Sequence, residues 1–186
     1  MDIYELANAY GDLLEKQFGP FDPLEFHVFP FDAGGSIDFL TIGKGRERFV
    51  TYITCGLFVH PELKRGKLGY YELMVICDSE DWVLDNINNI ARLSLMEVLE
   101  PNDTIDIGPY VSKEAPIQGV LLEEVPLGPL EITVENEHYG LLRCIGITRP
   151  EMEYKLKYGA PALFEKLKNV GIYPKTIVNR DSIRLD

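Results

Sequence analysis

Histidine and cysteine are scarce in this 186-residue chain, three of each, and neither type is clustered. His27, His60 and His138 have no partners at metal-ligand spacing, so no zinc signature or histidine relay can be read from them. Cys55, Cys77 and Cys144 are odd in number, far apart and set among apolar neighbours, and they read as reduced core thiols and not as a disulfide framework. No apolar run approaches the ~20 residues that a membrane span requires. The opening Met1-Asp2-Ile3-Tyr4-Glu5 is not basic and no apolar signal core follows it, so a soluble, cytoplasmic chain is expected. Gly43-Lys44-Gly45 lacks the rest of a phosphate loop and reads as a hairpin turn. No serine sits in a nucleophile elbow and no cysteine has an exposed basic setting, so nucleophilic catalysis finds no candidate and no cofactor is implied.

Positive charge is also in short supply. Eighteen Lys and Arg stand against thirty Asp and Glu, for a net charge of −12, which argues against nucleic acid as a ligand because phosphate binding needs a basic footprint. The imbalance is local. Between Glu97 and Leu142 stand Glu97, Glu100, Asp103, Asp106, Glu114, Glu123, Glu124, Glu131, Glu135 and Glu137, with Lys113 the only basic residue. Residues 43–69 are the reverse, with Lys44, Arg46, Arg48, Lys64, Arg65 and Lys67 against Glu47 and Glu62. The acidic segment is either a solvated surface or a face that steers a basic protein partner.

What the chain does have is strong local patterning. Ile3, Leu6, Ala7, Tyr10, Leu13, Leu14 and Phe18 recur at helical spacing, with Asp2 and Glu5 placed as a capping box, so a helix is expected over 2–18 until Gly19-Pro20 ends it. Strands are expected at 24–29, where Pro30 marks an edge, and at 37–42 and 48–55. The run Tyr70 to Cys77 reads as a central strand, antiparallel to 48–55 across an exposed basic connection. Ser79 then caps a helix carrying Trp82, expected to run to about Glu100 before Pro101. Short strands follow near 104–107, 119–123, 130–134 and 141–148. Thr148-Arg149-Pro150-Glu151 starts a helix, and Gly159-Ala160-Pro161 breaks it and starts another. Residues 172–186 show no period and read as a partly ordered tail.

Chemistry is harder to find. Glu135, Glu137 and His138 come nearest to a carboxylate–histidine cluster, and an enzyme using Glu135 and His138 is the alternative from another class. Glu123 and Glu124 are adjacent on a strand and face opposite ways. His60 reads as an exposed residue of the basic connection. Trp82 is expected to pack on the sheet, with one of Tyr70 and Tyr71 inward and the other outward.

Taken together, the stretch from Arg48 to Leu57, then Tyr71-Glu72-Leu73-Met74-Val75, then Trp82 and its helix resemble the suppressor of fused domain. Ile107-Gly108-Pro109-Tyr110, Gly119-Val120-Leu121-Leu122 and the Ile145 to Pro150 strand leading into Glu151, Met152 and Glu153 look like its later elements. The resemblance spans about residues 35–170 and implies an α+β domain: a central, mostly antiparallel mixed sheet flanked by helices, with 1–186 forming one domain. It brings no enzymatic residues. Animal members of the family hold a Hedgehog-pathway transcription factor between this domain and a second lobe, and this chain is too short for that lobe, so neither the clamp nor Hedgehog regulation is carried over. Short stand-alone members resemble bacterial immunity proteins that neutralise a toxin by direct binding. The expected function is therefore protein binding, in its sharpest form immunity against a basic toxin domain, with Glu123, Glu124, Glu135 and Glu137 as the candidate contact residues. A homo-oligomer using an exposed sheet edge is a further alternative.

Overall fold

The computed structural model describes residues 3–23, 29–31, 34–127, 132–134 and 137–185. Helix α1 spans Ile3–Phe18, and strands β1 (Phe29–Pro30), β2 (Ser36–Ile42), β3 (Val50–Cys55) and β4 (Tyr70–Cys77) follow. Helix α2 (Glu80–Ser94) leads to β5 (Thr104–Asp106), a 3-10 turn at Gly108–Tyr110 and β6 (Ile117–Glu124). The chain continues with β7 (Ile132–Val134), β8 (Glu137–Thr148), α3 (Arg149–Tyr158) and α4 (Ala160–Asn169). The sheet order is β1-β2-β3-β4-β8-β6-β5, with β7 paired to the start of β8. Among the strands of the described residues only the β4–β8 ladder is parallel. This is the mixed, mostly antiparallel sheet with flanking helices that the pattern implied, and Pro30 lies on the edge strand, where its missing N–H costs no ladder bond.

Alternation along β4 decides what covers each face. Tyr71, Leu73, Val75 and Cys77 meet Trp82, Val83, Ile87, Ile90 and Ala91 of α2, and Trp82 is buried on the sheet as expected. Met74, on the opposite face, packs with Ile53, Leu141 and the α1 residues Tyr10, Leu13 and Leu14. Farther along that second face, Leu121, Ile145 and Ile147 are covered by Met152, Leu163, Phe164 and Leu167 of α3 and α4.

Three departures from the sequence pattern have local causes. Helix α2 stops at Ser94, short of Glu100. The Ser94 hydroxyl donates to the Ala91 carbonyl (2.6 Å), the Ser94 carbonyl is taken by the Lys64 amide (2.9 Å), and Leu95 and Met96 bond back only three residues, so the helical ladder is closed off before Pro101. Strand β8 begins at Glu137, earlier than 141, because its first residues pair with β7 and β4. The pattern-free stretch after Ile172 is tied down bond by bond. Thr176 donates its amide to the Ile76 carbonyl (2.7 Å) and its hydroxyl accepts the Gly146 amide (2.8 Å), and Val178 donates to Asp78 (3.0 Å). Gly146 is required there, since a Cβ would stand 2.6 Å from Thr176 Cγ2. Individual bonds of this kind leave no periodicity to read.

Candidate binding surface

The parallel β4–β8 pair sets Tyr70 directly opposite Tyr139. Their rings stack at 5.0 Å, and the Arg65 guanidinium lies 4.6 Å from the Tyr70 centroid while Nη1 donates to the Tyr70 hydroxyl (2.8 Å). Phe58 meets Tyr139 edge-on at 6.0 Å, and Tyr10 of α1 lies 5.3 Å from Phe58. So Tyr71 is the inward tyrosine and Tyr70 the outward one. Because β6 runs against β8, its last residue, Glu124, lies near the same end of the sheet.

Around this aromatic row the surface forms a trough of three adjoining hollows. One of about 200 Å³ lies between the Phe58–Pro61 turn and the two tyrosines. The next, about 510 Å³, shares Tyr139 and reaches Lys67, Glu124 and His138. The third, about 300 Å³, shares Lys67, Leu68 and Glu124 and ends at Glu100 and Asn102. Charges of both signs, half-buried rings and open shape distinguish it from a small-molecule pocket, which is enclosed and mostly apolar.

The candidate residues do not all come to one surface. Glu124 is exposed and lines two of the hollows. Glu123 turns the other way, accepting from Arg143 Nη1 (2.8 Å) and from the Tyr173 hydroxyl (2.8 Å), so it is bound up within the molecule. Glu135 lies outside the described residues, as does the side chain of Glu137, whose backbone pairs with Val134 at the start of β8. His27 also lies outside them. His138 is exposed and faces the trough. His60 corrects the sequence reading: it is 5% exposed, because Nε2 donates to the Gly34 carbonyl (2.6 Å), Nδ1 accepts the Glu62 amide (3.2 Å) and the ring packs edge-on against Phe31 at 5.1 Å. Among the described residues no group of three His, Cys, Asp or Glu is placed to hold a metal. The basic 43–69 segment is partly neutralised by its neighbours, with Lys44 on Glu80 (2.7 Å) and Arg46 on Asp22 (2.5 Å).

Beneath the trough lies a residue that pattern reading quoted without assigning it a role. Glu72 is 1% exposed in the middle of β4. Its carboxyl accepts the Gly56 amide (2.9 Å), the Phe58 amide (3.1 Å) and the Thr54 hydroxyl. Thr54 in turn accepts the Leu73 amide (2.8 Å), where the β3–β4 ladder gives out, and Gly56 turns the chain at φ +105°. Burial pushes the Glu72 carboxyl up to about 8 and outruns the pull of its donors. Burial, and then the Glu72 charge, also hold the Tyr10 hydroxyl well above its ordinary range. The signal was present in the sequence as the one charged residue inside an otherwise aromatic and aliphatic strand.

The family model described as Suppressor of fused protein (SUFU) matches residues 34–181. The chain belongs to the suppressor of fused family. Its fold is similar to that in "the Sufu-Fu complex crystal structure", with 17% identity, a TM-score of 0.61, and coverage of 97% of this chain and 91% of that one. It is likewise similar to "Crystal structure of Drosophila Suppressor of Fused", at 16% identity and a TM-score of 0.65, covering 96% of this chain and 50% of that one. The suppressor of fused domain described here thus spans half of the Drosophila chain, and at these identities the likeness is one of fold. A search of the curated proteins gave no match. No helix among the described residues is long and apolar enough to cross a membrane.

Proposed function

We propose that this suppressor of fused domain binds a protein partner through the trough at the Tyr70–Tyr139 end of the sheet, and that it serves as an immunity protein neutralising a basic toxin domain in the cytoplasm. The observation that carries the reading is the trough itself, an open run of hollows joining stacked tyrosines to Glu124 and Glu100. Aromatic rings that reach the surface beside charged groups, as the half-buried Tyr70 and Tyr139 do, are what protein contact surfaces use for anchoring and orientation. A Sufu–Fu complex exists for a domain of this fold, so the scaffold is able to take a protein partner. The surplus of acid between Glu97 and Leu142 favours a basic partner and a fast, salt-sensitive encounter.

The test is co-expression with the protein encoded by the neighbouring gene, followed by calorimetry on wild type and on the triple variant Glu124→Lys, Glu135→Lys, Glu137→Lys. Glu123 is left alone because it is held by Arg143 and Tyr173. Binding is expected to weaken at least about tenfold, equivalent to ~1.4 kcal/mol, and to lose much of its salt dependence. Equal affinity in the two proteins would remove the acidic surface from the contact. Separately, Tyr139→Ala tests the aromatic anchor, with a loss of about 2 kcal/mol of binding expected for a hot-spot ring.

A further inference from the structure

A buried carboxyl backs the wall of the trough, bonding the Gly56 and Phe58 amides from behind. Glu72 lies on the same face of β4 as Tyr70 and Met74, opposite Leu141 of β8, under Tyr10 of α1 and behind the turn that presents Phe58 and His60. Its partners are all neutral donors: two backbone amides and the Thr54 hydroxyl. We propose that Glu72 is a proton-operated latch, whose carboxylate form draws the 56–60 turn against the sheet and fixes the Phe58 wall of the trough, and whose acid form lets that wall relax.

The geometry accommodates both forms. As a carboxylate, Glu72 accepts charge-assisted bonds from Gly56, Phe58 and Thr54, which are shorter and stronger than neutral ones. As an acid, it donates Oε2–H to Thr54 Oγ1, and the Thr54 hydroxyl turns its own proton to the Leu73 carbonyl, already 3.4 Å away. The proton lost on raising the pH goes to solvent, the Thr54 hydroxyl turns back from the Leu73 carbonyl to Glu72, and no covalent bond but the Glu72 O–H is broken. The Gly56 and Phe58 amides remain on Oε1 but now bond a neutral group. Phe58 touches Tyr139 and Tyr10, so slack in the turn is passed to the aromatic row.

The titratable groups that face Glu72 are few. Tyr10 approaches from α1 and Cys55 from the end of β3, with Asp38 of β2 behind Cys55. The Tyr10 hydroxyl is pushed upward by burial first and then by Glu72. Cys55 is exposed at the end of β3, unlike the core thiol its apolar neighbours suggested, and its sulfur is raised to about 11 by desolvation on its inner side and then by Glu72. They stay protonated across the window in which Glu72 changes. From β8 the neighbours are Gly140 and Leu141, which carry no charge. His60, at the far end of the same turn, has its ring held by Gly34 and Glu62.

The consequence for partner binding rests on the trough being the contact surface, but the latch is tested without a partner. In the whole chain, the Glu72 side-chain carboxyl, the Gly56 and Phe58 amides and the Phe58 and Tyr139 ring signals are followed by NMR from pH 5.5 to 9.5. The expected result is one shared midpoint near 8, lost from amides and rings in Glu72→Gln. Flat amides across a Glu72 titration, or an identical titration in Glu72→Gln, would overturn the latch. If Glu72→Gln does not fold, the wild-type titration still decides, and Thr54→Val is expected to move the shared midpoint upward. A midpoint left unmoved by that change counts against the Thr54 exchange. Unchanged partner binding in the trough variants, with the shared midpoint still present, would overturn the trough as the contact surface and the latch's role in binding, and would leave the latch itself standing.

Discussion

Glu72 and Glu151 are two glutamates with almost the same burial, 1% and 0% exposed, and opposite company. Glu151 closes the capping box of α3, accepting the Thr148 amide (2.9 Å), and meets the Arg180 guanidinium in a two-pronged pair at 2.5 and 2.6 Å. Arg180 also donates to the Gly146 carbonyl (3.2 Å), and Glu151 accepts the Ile183 amide (3.1 Å). A full countercharge and bidentate geometry hold that carboxylate in place. Among the described residues Glu72 meets no cation, only dipoles, and burial dominates its chemistry. One end of the second sheet face is thus pinned by a charge pair, while the other hangs on a group that can change its protonation near neutral pH.

The largest effect comes from breaking the pinned end. Arg180→Ala leaves Glu151 buried without its cation, and removing one member of a buried pair costs about 3–5 kcal/mol. Urea denaturation should show that loss, and limited proteolysis should cut first between Ile172 and Leu185, the stretch that the pair anchors. A loss below about 1 kcal/mol would mean that water reaches the pair and that the contrast with Glu72 is weaker than the burial implies.

At the other end the effect is set by pH. The Glu72 carboxyl is raised from 4.5 to about 8, so between those values the folded chain holds a proton that the unfolded chain has released. The contribution of this group is fully present below 4.5 and is lost as pH rises toward 8, by at most ~1.4 kcal/mol per pH unit. Glu72→Gln carries no such proton. The stability difference between wild type and Glu72→Gln, taken from urea midpoints at pH 5, 6.5 and 8, should therefore move steadily in favour of the variant. A constant difference would place the wild-type carboxyl in the ordinary range and leave no proton to operate the latch.

The comparison also explains what could be read from the sequence. Strand β4, the Ser79 cap, Trp82 on the sheet and the Thr148 to Glu151 helix start rest on local rules of alternation, capping and proline placement, and these act within a few residues. The end of α2 depended on Lys64, thirty residues away, which captures the Ser94 carbonyl. His60 was drawn inside by Gly34, twenty-six residues upstream. The Glu151–Arg180 pair joins a recognisable capping box to a stretch without pattern, so only its first half was visible. Glu72 was legible as an oddity, a charge within an apolar strand, but its meaning lies in the Gly56 and Phe58 amides that tertiary folding brings to it. Of the acidic candidates, Glu124 reaches the trough, and Glu123 was claimed by Arg143 and Tyr173 from two other elements.

The smallest change sharpens the contrast most. Thr54→Val keeps the shape of the side chain and removes one hydroxyl, which serves both as donor to Glu72 and as acceptor for the Leu73 amide. The orphaned amide makes the cost about 1–3 kcal/mol, measured by denaturation at pH 6. Because that hydroxyl bond favours the carboxylate, its loss should also move the Glu72 midpoint upward, above about 8, and widen the pH range over which stability falls. The corresponding change at the pinned end, Ser182→Ala beside Thr148, removes a hydroxyl partner 3.1 Å away but touches no carboxyl. It should cost under ~1 kcal/mol and leave the pH dependence unchanged. A pH response at Ser182 equal to that at Thr54 would mean that the two buried carboxyls are not differently held, and the distinction between a pinned and a titrating end would fall with it.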